Sequence, residues 1–207
     1  MKNLYSEDAF TGLEAAIVLI AFVVVAAVFS YVVLGAGFFT TQTAQATVHT
    51  GVAQASSSLE VVGNVMGVAI DASPTHLTYI NTSVALTAGG TGMDLTQMVI
   101  SYSDTGGGRN ASINMTSGTA GSCGSILTTS VTDDDNIQWC VSQKINEVGS
   151  SENNLLEPNE IWVLSIGMPT TATVNQKITV NLQPAVGAVL PLTRTIPGAL
   201  SKVQAIY

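Results

Sequence analysis

The chain has 207 residues, 6 Lys+Arg against 14 Asp+Glu, a net charge of −8, 46% hydrophobic residues and only 10% charged ones. That length suits one ordinary domain plus an appendage, or two small domains. The acidic balance excludes a phosphate-backbone partner, which needs clustered Lys/Arg, because Lys2, Arg109, Lys144, Lys177, Arg194 and Lys202 are spread along the chain and make no patch.

The apolar excess sits at the front. No charged side chain lies between Glu14 and Glu60, residues 15–29 are apolar at every position, and after Ser30 and Tyr31 the apolar run resumes over 32–39. A membrane-spanning helix needs about 20 such residues. A helix that is apolar all round must be buried on every side, in lipid or among other helices, and this run is too long and uniform for the core helix of a globular domain. A secretory signal would carry a basic start and a small-x-small cleavage site after the apolar run. Here a polar leader, residues 1–9, precedes the run and no such site follows it. The Ala/Gln/Thr-rich stretch after Phe39 extends the expected helix to about Ser58, so that Thr11 to Ser58 would span about 70 Å. Gly35 and Gly37 are the expected bending points. Thr11-Gly-Leu-Glu14 fits a capping box, with Thr11 as N-cap and Glu14 at the third helical position.

Beyond Leu59 the hydrophobic period changes to two. Ile178-Thr-Val-Asn-Leu-Gln183 alternates strictly, and 77–86, 95–102, 126–131, 137–142, 161–166 and 188–196 are similar short runs. Between them lie turn formers such as Asp71-Ala-Ser-Pro74, Asp104-Thr-Gly-Gly-Gly108 and Glu157-Pro-Asn159. Seven or more strands at this spacing predict an antiparallel sandwich or barrel. The expected fold class is therefore α+β, one long N-terminal hydrophobic α-helix followed by an all-β head.

Catalytic chemistry finds no footing. His49 and His76 have no acid or nucleophile at a recognised spacing, and no nucleophile elbow, P-loop or dinucleotide fingerprint is present. Asp133-Asp-Asp-Asn136 lacks the Gly-centred loop and distal Glu of an EF-hand, so it reads as a solvated turn with at most weak cation binding. No metal, cofactor or enzymatic role is expected.

Phe10-Thr-Gly-Leu-Glu-Ala-Ala-Ile-Val-Leu-Ile20 after a short polar leader resembles the class III signal of type IV pilins and archaeal flagellins (archaellins). Val33-Leu-Gly-Ala-Gly-Phe-Phe39, Met93-Asp-Leu-Thr-Gln-Met-Val-Ile-Ser-Tyr102, the 180–190 segment and Thr193-Arg-Thr-Ile-Pro197 resemble archaellins in particular. The resemblance implies an immunoglobulin-like β-sandwich head over 59–207, an assembly helix over 10–58 and a leader over 1–9. It also implies cutting by a prepilin-type peptidase between Ala9 and Phe10, although Asp8-Ala9 stands where the family has Lys or Arg plus Gly. The implied product is an extracellular motility filament of identical subunits, built by membrane machinery from a precursor held in the cell membrane. An adhesive pilin, or a membrane-anchored surface-binding protein, is the alternative.

Four further expectations follow in that setting. Glu14 pairs with the new ammonium group of a neighbouring subunit, because a buried carboxylate without a partner is too costly to persist. Cys123 and Cys140, the only cysteines, read as a disulfide, with two independent buried thiols as the alternative. The sequons at Asn81, Asn110 and Asn114 read as glycosylation sites, weak as motifs but supported by export. Asn110 and Asn114, beside the Gly-rich turn, are expected to be the better exposed.

Overall fold

Residues Tyr5–Ser56 form one uninterrupted helix of 52 residues, α1, in a computed structural model that describes residues 5–71, 74–117, 121, 123–124, 126, 137–149 and 152–207. Val and Ile have modest intrinsic helix propensity. An apolar run removed from water can nevertheless satisfy its peptide groups only through bonds within itself, and an unbroken helix does so everywhere but in its terminal turns. No proline occurs before Pro74, so nothing interrupts the ladder. Gly35 and Gly37 remain helical rather than marking a break. The helix also begins upstream of Thr11, which therefore lies inside α1 and is not its N-cap in this chain. The first glycine is Gly12, and the leader holds no residue that would stop a helix from extending back to Tyr5. At the other end Ser56-Ser57-Ser58 competes for backbone hydrogen bonds and the helix stops.

The chain divides into two units, Met1–Thr50 and Gly51–Tyr207. The second is built from β1 (Leu59–Val61), β2 (Met66–Val68), β3 (Tyr79–Leu86), β4 (Met93–Asp94), β5 (Val99–Asp104), β6 (Arg109–Ser117), β7 (Gln138–Ile145), β8 (Leu155–Leu156), β9 (Ile161–Gly167), β10 (Lys177–Gln183), β11 (Leu190–Thr195) and β12 (Val203–Ala205). Ten of these join in the order β11-β10-β5-β6-β7-β9-β3-β2-β12, with β1 also on β3, while β4 and β8 pair separately. The pairing is antiparallel except between β6 and β7, where Asn114 faces Gln138 in a parallel register. A parallel neighbour requires a long crossover, and the segment between Ser117 and Gln138 supplies the length.

Alternation decides which side chains enter the core. Ile178, Val180 and Leu182 of β10 are buried between exposed or half-buried neighbours, as the period of two predicts. Ile80, Thr82, Val84 and Leu86 do the same on β3. Trp139 of β7 and Trp162 of β9 are the two largest fully buried side chains among the described residues. The run 95–102 departs from expectation. Leu95–Gln97 form a 3-10 turn because Asp94 Oδ1 accepts from the Thr96 amide at 2.9 Å and its hydroxyl at 2.6 Å. Only from Val99 does the chain extend. Of the expected strand 126–131, Ile126 alone is described, and it is helical and buried.

Candidate assembly segment and head surface

Within α1, Gly12–Val52 is long and apolar enough to cross a membrane, and its most apolar window is not buried at all within the chain. Exposed side chains point to all sides of it, among them Phe22 at 74% exposure, Val25, Phe29, Leu34 and Phe39. Each large apolar side chain stands to gain about 1.5–3 kcal/mol on full burial. Glu14 is exposed at the start of this segment. Its more polar second half is drier than its composition implies. Thr40, Thr43, Thr47 and Thr50 each donate the hydroxyl proton to the carbonyl four residues back, at 2.7–2.8 Å. Thr41 does so to Gly37 at 3.1 Å. The hydroxyls thus need no outside partner and leave their methyl groups for packing. Beyond the backbone of α1 itself, no atom lies within 4 Å of where a Cβ on Gly35 or Gly37 would stand, so close approach there is open to another helix.

The three sequons differ sharply in access. Asn81 lies in mid-strand on β3, opposite Met66 of β2 and Ser165 of β9, and its Oδ1 accepts from the Ser165 hydroxyl at 2.7 Å. Asn110 is buried, with Oδ1 accepting from the Ser112 amide at 2.9 Å. This corrects the expectation that Asn110 is well exposed. The Gly-rich turn ends by Gly108, and Asn110 is already the second residue of β6, opposite Tyr102. Asn114 is exposed.

Cys123 and Cys140 are joined, with sulfurs 1.98 Å and Cα atoms 5.6 Å apart. The bond ties the β6–β7 crossover to β7 and packs with Ile126 and Tyr79 in a small cluster of its own. Asp133-Asp-Asp-Asn136 lies outside the described residues. Among those described, no group of three or more His, Cys, Asp or Glu is placed to hold a metal ion.

Four residues carry structural duties that no sequence pattern marks. Asp104 ends β5 and receives hydrogen bonds from the Thr171 hydroxyl at 2.6 Å, the Tyr102 hydroxyl at 2.8 Å and the Gly108 amide at 2.9 Å. Burial pushes its pKa up, but the bonds from Thr171, Tyr102, Gly108 and Gly106 outweigh that and hold it below the usual carboxylate range. Glu160 is fully buried, accepting from the amides of Val148 at 2.6 Å and Glu157 at 3.0 Å and from Trp162 Nε1 at 3.2 Å. Lys144 stands over the Trp162 ring, 4.4 Å from its centroid, and donates to the Asn153 carbonyl. Gly187, at φ +115°, passes so close to Ser57 that a Cβ would lie 1.7 Å from the Ser57 carbonyl oxygen. Only glycine satisfies both the space and the backbone angle there. These carboxylates spend their lone pairs on the fold's own donors, which is the chemistry of a scaffold.

The archaeal-type flagellin family model matches residues 9–194. The chain is 36% identical to "Probable flagellin 1" of Archaeoglobus fulgidus, covering 100% of this chain and 98% of that one. It is 91% identical to the "24 kDa flagellin" of Methanospirillum hungatei over 32 residues, which are 16% of this chain and 100% of that sequence. Among solved structures it resembles the archaeal flagellum of Methanospirillum hungatei strain JF1, with a TM-score of 0.63, 29% identity, and coverage of 94% of this chain and 98% of that one. A helix apolar on every side, a mostly antiparallel β head and a family match over nearly the whole length converge: the chain belongs to the archaeal-type flagellin family.

Proposed function

We propose that this chain is a structural subunit of an archaeal flagellar filament, polymerising through α1 and serving swimming motility outside the cell. The observation that carries the reading is the unburied apolar length of Gly12–Val52, in a chain that aligns along 94% of its length with a protein solved as an archaeal flagellum. Lipid and a bundle of identical helices both exclude water, so moving α1 from one to the other costs little hydrophobic free energy. Passage through water would cost about 25 cal/mol per Å² of apolar surface. The precursor therefore waits in the membrane and passes to the filament through assembly machinery, never as a free monomer. Identical subunits joined without closure make an open helical polymer, which requires no catalytic residue.

In this reading a prepilin-type peptidase cuts between Ala9 and Phe10, removing the leader 1–9 from the assembly helix 10–58 and the head 59–207. Glu14 then finds its counter-charge in the Phe10 ammonium group of a neighbour. Glu14→Gln keeps the hydrogen-bonding shape and removes the charge, and is expected to lower filament yield. Yield equal to wild type would dismiss the pairing. Cys123 and Cys140 are bridged in the exported head. Asn114 is the best-placed glycan acceptor, because Asn81 and Asn110 spend their side chains on the sheet.

The test of the reading is the N-terminal residue of the protein in filaments sheared from cells. Phe10 there is the expected result. Recovery only from membranes with Met1 intact would favour the permanently anchored alternative and overturn the filament reading.

A further inference from the structure

The ten-stranded sheet has β11 at one end of its order and β12 at the other. β12 is only three residues long, whereas β11, Leu190–Thr195, is six residues long and pairs with β10 alone. An edge of that length presents a row of amides and carbonyls on which another strand can form.

The hydrogen bonds at the end of β11 say which groups those are. Backbone groups of successive residues point to opposite edges of a strand. The Ile196 amide, just after β11, donates to the Gln176 carbonyl, just before β10, at 2.8 Å. Ile196 therefore points towards β10, as do Arg194 and Leu192, while Pro191, Thr193 and Thr195 point outwards. The Thr195 amide agrees with this parity, since it donates to the Tyr207 carbonyl beyond β12.

Each outward position is closed to a newcomer in a different way. Pro191, exposed at the edge, has no amide proton. The Thr193 carbonyl already accepts from Arg194 Nη1 at 2.9 Å. The Thr195 amide is taken by Tyr207, which is held in place by β12 on β2 and by the Ile206 amide on the Val65 carbonyl at 3.0 Å. Of these three positions, Thr193 alone keeps an amide for a neighbour. Arg194 adds a second obstacle. It shares its face of the strand with Leu192 and Ile196, both buried, where alternation calls for an apolar side chain. Its guanidinium reaches over the edge instead, and a strand laid along that edge would strip it of water.

We propose that Pro191 and Arg194, together with Tyr207, guard β11 against strand addition by the same edge of a second copy. The excluded occupant is argued from self-complementarity. Two β11 edges laid antiparallel about Thr193 would meet each other's outward groups in register, and every copy carries this edge. Such a pair is isologous and closes on itself, so it would trap two heads together and add nothing to an open polymer. Heads held beside one another by their helices meet at high effective concentration, and a weak unguarded edge would then be enough. The inference goes beyond the filament reading and concerns the head alone.

The test uses the full chain, held one copy per micelle by excess detergent, with T193C as the probe. Cys123 and Cys140 are bonded to each other and are the only cysteines, so the introduced thiol is the one free thiol. In two paired edges the opposed positions would lie about 5.5 Å apart at Cα, within reach of a disulfide. P191V/R194T restores the amide and removes the charge. In that background T193C is expected to cross-link into dimers about tenfold or more faster than T193C alone. V148C, exposed on the β7–β9 connection, is the control and is expected to stay equally slow in both backgrounds. Tryptophan emission during urea unfolding checks that each variant folds. P191V alone changes one exposed residue, covers a folding failure of the double variant, and is expected to raise T193C cross-linking several-fold. Three results would each overturn the guard: T193C alone cross-linking as fast as T193C in P191V/R194T, dimers forming equally through T193C and V148C, or no increase from folded P191V or P191V/R194T. None of them touches the filament reading, which stands or falls on the N-terminal residue of sheared filaments.

Discussion

Asp104 sits at the last position of β5, where the chain must turn through Thr105–Gly107 and come back as β6. Its two oxygens accept from a turn amide, a strand tyrosine and a threonine sixty-seven positions downstream, so one carboxylate closes a hairpin and ties it to the other half of the sheet. Asp104→Ala is expected to destabilise the head by about 3 kcal/mol, since hydrogen bonds to a charged group contribute about 1.5–3 kcal/mol each and this site is partly solvated. The pH dependence follows from the depressed folded pKa. The ionised form's contribution is whole above the unfolded Asp value of about 3.9 and is lost as pH falls through the lower folded value. Wild type and variant should therefore differ fully at neutral pH and converge at strongly acidic pH. Trp139 and Trp162 are both buried in the head, so tryptophan emission of the detergent-held full chain during urea unfolding reads the head alone. Sequence marks Asp104 only as a turn former beside a Gly run; its partner Thr171 is far away in the chain, and no local pattern reports that bond.

At the scale of elements, α1 and the alternating strands were the most legible, for a simple reason. Periodicity is a local property, and both a uniformly apolar helix and Ile178-Val180-Leu182 display it in a handful of residues. β6 was not legible. Its sequence, Arg-Asn-Ala-Ser-Ile-Asn-Met-Thr-Ser, is mostly polar, and it becomes a central strand because β5 and β7 flank it. That omission is also why Asn110 was expected at the surface. The short strands β4, β8 and β12 are too brief to carry a period and exist through their partners. The β10–β11 connection gives a prediction at this scale. Gly187→Ala must move the Ser57 carbonyl or abandon a positive φ, and is expected to cost about 3 kcal/mol, well beyond an ordinary surface change. Gly63→Ala, also at positive φ but with open space around it, should cost less. A loss at Gly187 no greater than at Gly63, in the same urea titration, would refute the close packing at the head's entry.

For the whole molecule, two terms hold the head together: a core around Trp139 and Trp162, and the Cys123–Cys140 bond that closes a loop of separation 17. A loop of that size is worth about 3 kcal/mol by constraint of the unfolded chain. Cys123→Ser/Cys140→Ser is therefore expected to lower the urea midpoint of the head markedly. Free thiol near zero should be measured on unreduced filaments, and two free thiols per chain would refute the bridge. The helix unit responds to neither change, because its stability comes from surroundings that exclude water rather than from the head's core.

The sequence by itself determined what the molecule must avoid. A charge-free apolar segment is costly to leave in water, which is a statement about transfer from solvent, to which composition alone is sufficient. It also determined the division into one helix and a β head, since hydrophobic period is local. Only the tertiary structure decided the strand order, the parallel β6–β7 pair and the burial of Asn110. Those depend on pairing between segments distant in the chain, where a one-residue change of register moves a side chain from the core to the surface.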